Sequence, residues 1–461
     1  MATQVAPRPG GPDPAITETI AEFALAQSFA ALPAQVQRES VRNLVNWVGC
    51  ALGGAPSATV AAAIKGLQSY SLPGRCRVIG RSERFDAPGA AVINCLASAA
   101  HAYDDTHLAT ITHPTGPVIA ALLALAEQQA IRGEEFLAAL MIGMEIECRL
   151  SRAIVAPGSG ASGGWYITGV TGGIGAAAAV GRMLGLDRAE MVSALGLAAA
   201  QSCGPRGTHA SMAGAYVPAL AAQAGFTAAM MARAGLTCGA AALAGRNGLV
   251  EVIAPKADHA SICRDLGTHW EALGNACKPY PCGIVIHSAI DACLALLARC
   301  QARPGPEDIA EVSFGVTPGA LALCWRKLPE SELEAQVSLY HWLAATLVHG
   351  AATVVQAQLA CIADPRVRAL QARIRATADP ALAIDQARAT MRLRDGSVLS
   401  VNIEHGVGSL IKPMSDEALS AKFLSQARGV LPDAKAQALL AASWNARALD
   451  DVTELLALGA L

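Results

Sequence analysis

From Ile16 to about Gly274, apolar residues recur at helical spacing in runs of roughly 12–20 residues. Gly, Pro and Asp separate these runs, as at Leu72-Pro73-Gly74 and Gly185-Leu186-Asp187. Residues 1–15 read as a disordered lead. Alternating stretches are scarce in this half; Arg75 to Gly80 is one short candidate strand. The texture changes near Leu273. Ile286, Ile290, Leu294 and Leu297 fall on one helix face, whereas Asp308 to Thr317 alternates like a strand. Arg392 to Glu404 predicts a hairpin around Asp395-Gly396, with Leu399, Val401 and Ile403 on one face. After Gly406 the pattern returns to charged amphipathic helices. The expected fold is mainly α. A large helical domain is built from both chain ends (1–274 and 406–461), and a smaller α+β lid domain (275–405) is inserted between them.

Composition adds a question. The 461 residues are 53% hydrophobic but only 16% charged and 4% aromatic, where about 25% charged is usual. Two windows, 153–181 and 207–232, hold no Asp, Glu, Lys or Arg. Pro157 and several glycines break the first; His209, Pro218 and Gln223 interrupt the second, which is mainly Ala. Neither reads as a membrane span. Helices buried on all sides, packed closely through small residues, explain both. A formal net charge of −2 argues against a nucleic-acid binder, which needs a basic face. The N-terminus has no secretory pattern, and the 13 Cys form no CxxC pair. Several sit in apolar helical context, so a reduced, cytoplasmic protein is expected.

Three clusters can carry chemistry. His101-Ala102-Tyr103-Asp104-Asp105-Thr106-His107 is followed by His113-Pro114, which concentrates three His and two carboxylates in an apolar chain. Such groups are expensive to bury unpaired, which points to a site. The alternatives are a helix N-cap with its turn, or metal ligation. Lys278-Pro279-Tyr280-Pro281-Cys282 lies at the expected domain boundary, as a site lysine or a rigid linker. Cys203-Gly204-Pro205-Arg206-Gly207-Thr208-His209 supplies a rare cation, Arg206, suited to bidentate carboxylate binding, or is an interhelix turn. The Gly169–Gly175 stretch is neither a G-x-G-x-x-G motif nor a P-loop, and no G-x-S-x-G or H-E-x-x-H is present.

Together these clusters resemble the 2-methylcitrate dehydratase (MmgE/PrpD) family, which includes 2-methylcitrate dehydratase, cis-aconitate decarboxylase and iminodisuccinate epimerase. Further markers are Ala221-Ala222-Gln223-Ala224-Gly225 and Ser338-Leu339 before His341. The resemblance implies a helical domain with a smaller α+β lid, a homodimer, and chemistry without metal or other cofactor on a small polycarboxylate. Thr106, His113, Lys278 and His341 fall on family site positions. Three positions depart: Ala102 replaces an acidic residue, Tyr166 a His, and Gly214 a Lys. These departures point away from elimination or decarboxylation and toward the two-base arrangement of iminodisuccinate epimerase. The resulting expectation is an epimerase that removes the proton next to a carboxylate. Tyr166 and Lys278 would be the bases, assisted by His113, and His101, Asp105, Thr106, Arg206 and His341 would bind substrate. A dehydratase or decarboxylase, and a non-catalytic binding protein, are the alternatives.

Overall fold

Asp13 opens the first helix by accepting a hydrogen bond from the Ala15 amide, so α1 (Pro14–Ala26) starts two residues before Ile16. The computed structural model describes residues 11–71 and 73–461. The expected disordered lead therefore lies mostly outside the described residues, and its last residues are helical. Eight helices follow before residue 240: α2 (Ala34–Gly54), α3 (Ala58–Gln68), α4 (Ala87–Ala99), α5 (Thr115–Ala126), α6 (Gly133–Val155), α7 (Ile167–Met183), α8 (Arg188–Ala199) and α9 (Met212–Arg233). The predicted strand near Arg75 is β1 (Cys76–Arg77), paired with β2 (Arg84–Phe85).

Apolar side chains collect in two cores. The first is formed by α1–α9 and is completed by Phe423, Leu439 and Leu455 near the chain's end. α7 lies between α6 and α9, and glycine permits the closest approach. A Cβ on Gly225 of α9 would stand 2.4 Å from the Ala176 Cβ and 2.5 Å from the Gly173 carbonyl oxygen. The helical parts of the charge-free windows are thus walls where helices touch, whereas residues 156–166 and 207–211 form partly exposed loops. Among the described residues no single helix is long and apolar enough to cross a membrane.

The second core runs from Cys282 to Val401. Its sheet has the order β6-β5-β7-β8, from β5 (Ile309–Val316), β6 (Ile374–Ala378), β7 (Ala387–Leu393) and β8 (Val398–Ile403). β5 pairs parallel to β6, while β7 is antiparallel to both β5 and β8. The hairpin turns at Gly396, whose φ of 91° suits glycine. Val401 is buried, and Val398, Ser400 and Asn402 face out, as the alternation predicts. The preceding helix differs from expectation. It spans His287–Arg299 and buries Ile290, Cys293 and Leu296, while Leu294 and Leu297 are half-buried. It packs on β7 and β8 and also on the helix Leu339–His349, so small residues share a stripe wider than the leucines alone define.

One more pairing crosses between the cores. β3 (Asp105–His107) is antiparallel to β4 (Asn275–Cys277).

Two substitutions test this packing. Gly225→Ala is expected to lose about 1–3 kcal/mol in urea unfolding, because the added methyl meets backbone of α7. Glu147 of α6 is fully buried with neither carboxyl oxygen hydrogen-bonded, and burial holds its pKa well above 4.5. The folded chain therefore keeps a proton that the unfolded chain releases above about pH 4.5, so stability drains away as pH rises. Glu147→Met is expected to raise stability by about 1–3 kcal/mol, with a larger Tm gain at pH 8 than at pH 5.

Candidate active site

The β3–β4 pairing sets the geometry. It places Lys278, just after β4, beside Asp104, just before β3, and the Lys278 amide donates to the Asp104 carbonyl at 3.2 Å. The side chains follow: Lys278 Nζ stands 2.5 Å from Asp104 Oδ1, with both groups almost fully buried. Burial pushes the Asp104 carboxyl up, but Lys278 and His113 outweigh it and hold the group below its ordinary range. Lys278 is therefore neither a linker residue nor a solvated one.

The ion pair forms part of a cavity between the two cores, whose empty space, mouth included, is about 950 Å³. The proposed catalytic residues Tyr166, Lys278 and His113 all line it, with Arg206. Tyr166 precedes α7, and its amide donates to the Gly204 carbonyl. Arg206 lies in the turn between α8 and α9, so that segment is both an interhelix turn and a cavity wall.

His113 is firmly oriented. Its Nδ1 lies 2.6 Å from the Asp105 carbonyl oxygen, which makes Nδ1 the protonated nitrogen, because a carbonyl can only accept. Thr106 Oγ1 stands 3.3 Å from the same nitrogen, and the His113 amide donates to Thr168 Oγ1 at 2.9 Å. Nε2 is left as the acceptor. Burial and the Lys278 ammonium lower the His113 pKa, against the pull of Asp104, so the ring is neutral at pH 7. Burial and the charge of Asp104 raise the Tyr166 pKa well above 10, which Thr168 and Arg206 only partly offset. The phenol is thus held protonated.

The remaining expected residues lie behind the wall. Asp105 is fully buried and receives hydrogen bonds from the Thr115 hydroxyl and amide at the start of α5. Burial and Asp104 push its carboxyl up to about 6. Asp105 and Thr106 orient His113 and do not line the cavity. The His101 ring turns away to the Gly53 carbonyl, 3.0 Å distant. His341 is fully buried, with Nε2 2.7 Å from the Gln356 carbonyl. It is directed to Gln356 and does not reach the cavity, which Gln336 and Val337 line instead. Among the described residues no three His, Cys, Asp or Glu converge as metal ligands.

Three features were missed. His209 lines the cavity with its ring 4.6 Å from that of Tyr166; burial, followed by the nearby cations, lowers its pKa to about 4. Lys422, from the helix Asp416–Ala427, is buried under the site and donates to Asn46 Oδ1 and to the Tyr103 and Lys278 carbonyls at 2.6–2.8 Å. Third, five non-glycine residues among those described have positive φ, and three of these, Ala102, Ile111 and Ala210, line the cavity. A left-handed backbone at a β-branched residue such as Ile111 is costly, and such strain gathers at functional sites. No residue type announced it; the density of His and Asp was the readable signal.

Two family models together match most of the chain. The MmgE/PrpD N-terminal domain matches residues 18–261, and the MmgE/PrpD C-terminal domain matches residues 280–446. A cis-aconitate decarboxylase of Aspergillus terreus is 25% identical, covering 96% of this chain and 95% of its own length. The human cis-aconitate decarboxylase is 26% identical over 95% of this chain and 93% of its own length. A cis-aconitate decarboxylase-like protein of Aspergillus oryzae is 32% identical over 38% of this chain and 37% of its own. Two domain matches flanking the β4–Lys278 junction, with full-length relatives on either side of it, establish that the chain belongs to the MmgE/PrpD family.

Proposed function

We propose that this protein is a lyase that works without a cofactor at the carbon next to a carboxylate of a small organic acid. One observation carries the reading: a neutral His113 with Nε2 free and a Tyr166 held as the phenol line the same cavity. That is a base and an acid side by side. Arg206 faces the same space and suits a carboxylate, while Lys278, paired to Asp104, contributes a neutralised ion pair to the wall. The body around the second core supplies Lys278, Gln336 and Val337 and serves as the lid.

In the elimination this implies, His113 Nε2 takes the proton from the carbon next to the carboxylate. The C–H electrons form the double bond as the hydroxyl on the following carbon leaves. Tyr166 gives its proton to that hydroxyl, and water departs. The imidazolium then returns a proton to the phenolate; the two ring centroids are 6.0 Å apart, a span one water bridges.

Decarboxylation is the second reading, favoured by the decarboxylases among the relatives. It needs the donor alone, with Tyr166 protonating the carbon that carbon dioxide leaves. The two-base epimerase reading has Tyr166 and Lys278 in one cavity to support it, but it asks Tyr166 to be a phenolate. Burial and Asp104 oppose that, so the residue suits the role of donor.

Incubation with 3-hydroxy monocarboxylic acids of four to eight carbons, 2-methylcitrate, cis-aconitate and iminodisuccinate in heavy water, followed by NMR, separates these outcomes. A new alkene signal that replaces the signal of the hydroxyl-bearing carbon, with every carbon retained, supports elimination, and released carbon dioxide supports decarboxylation. Deuterium uptake with no new compound supports epimerisation, and silence across the panel overturns all three. Tyr166→Phe is expected to lower kcat by about 10²–10⁴-fold with little change in KM. The pH profile provides a second test. Because burial and Lys278 lower the His113 pKa, the acid limb of kcat/KM is expected below the ordinary His value of about 6.5. Activity is lost as pH falls through that limb and His113 gains a proton. In Lys278→Met, residual activity should show the limb moved upward, since the repelling cation is gone and Asp104 remains; a downward move would remove His113 from the role of base.

A further inference from the structure

We infer that the substrate carries a single anchoring carboxylate and an apolar remainder, and is not a polycarboxylate. This deepens the lyase reading and rests on the cavity being an acid-binding site. The charged side chains that line the cavity, among the described residues, are Asp104, Lys278 and Arg206. Asp104 and Lys278 neutralise each other at 2.5 Å. His113 and His209 both have lowered pKa values and add no charge at neutral pH. Arg206 is left as the one uncompensated cation.

Its surroundings are arranged for an anion. Arg206 makes no ion pair with any described residue, and its Nε is buried without a hydrogen-bond partner. Its own amide donates to the Gly164 carbonyl at 2.7 Å, which fixes the residue's position. α9 begins beside it: Ser211, Gly214 and Ala215 line the cavity, and the first turn of this 22-residue helix has no side-chain cap. The positive end of the helix therefore reinforces the guanidinium at the same place. Gly214 has no side chain to cover that turn.

Apart from Lys278 and Gln336, the lining from residues 278–337 carries no charged or amide side chain, and Ile284, Val285, Leu323, Leu333 and Val337 make much of it apolar. A second or third carboxylate lodged there would lose its hydration with no cation to meet it, and one lodged beside Asp104 would face a like charge. An aliphatic tail meets no such penalty and gains from burial.

The test uses three unreactive six-carbon acids, hexanoate, adipate and tricarballylate, bound to the whole protein and followed by calorimetry at neutral pH. Hexanoate is expected to bind at least tenfold more tightly than tricarballylate, with adipate between them. Arg206→Met should weaken hexanoate at least tenfold. Gly214→Lys should raise adipate and tricarballylate relative to hexanoate by tenfold or more; a Cβ there meets only ordinary contacts at 3.4–3.9 Å, so the variant is expected to fold. Tricarballylate binding more tightly than hexanoate to the unmodified protein would overturn the inference, as would the absence of binding by any of the three at millimolar concentration. The lyase reading stands or falls separately. A cavity that ranks the acids as expected but turns over no hydroxy acid keeps the inference and loses the lyase, and alkene formation from a triacid does the reverse.

Discussion

The site depends on a three-residue strand pair. β3 and β4 are separated by more than 160 residues in the chain, yet their pairing brings Asp104 next to Lys278. The pairing fixes the backbone, and the ion pair then follows from side chains that have nowhere else to go. Both groups are almost entirely removed from water. Separating such a pair leaves an uncompensated buried charge, which is strongly destabilising. The same carboxylate also attracts His113 and opposes ionisation of Tyr166, so one contact adjusts protonation states that burial sets in the main.

The scarcity of charge elsewhere has a matching role. In a protein with ordinary surface chemistry, a cavity of this size would be ringed by ions that screen and shift one another. Here burial dominates. It lowers the histidines and raises the tyrosine, and it leaves a base and an acid in their neutral forms beside one another. The small residues that let α6, α7 and α9 approach are thus part of the chemistry, because they exclude the water that would otherwise level these groups.

Much of this was legible in the residues. Helical periodicity, the alternation of β5 and the Asp395-Gly396 turn each pointed to the element found. Tyr166, Lys278, His113 and Arg206 converge on one cavity, although only the family resemblance could join positions so distant. Other features had no local signature. Asp104 and Asp105 read as equals, but neighbouring side chains on an extended segment point to opposite sides. One therefore faces the cavity and the other the start of α5. His101 and His341 carried the right chemistry, but the turn after α4 and the helix Leu339–His349 direct them to backbone carbonyls. Lys422 looked like one more cation on an amphipathic helix. The expectation of Tyr166 as a base has burial and the Asp104 charge against it, and nothing in the residue order reveals that Asp104 outweighs Arg206 there.

Lys422 has a consequence for how the protein is made. All three of its ammonium hydrogens are directed to acceptors under the site, two of them the carbonyls of Tyr103 and Lys278. Its ammonium also sits 3.9 Å from the Tyr103 ring centroid. Synthesis proceeds from the N-terminus, and domains tend to fold as they emerge. The α1–α9 core can assemble while the rest of the chain is still being built, yet the floor of the cavity waits for a residue near the end. A ribosome-bound chain that already holds every cavity-lining residue still lacks the clamp beneath them. The hydrogen bonds beneath the cavity therefore form only once the helix Asp416–Ala427 has docked.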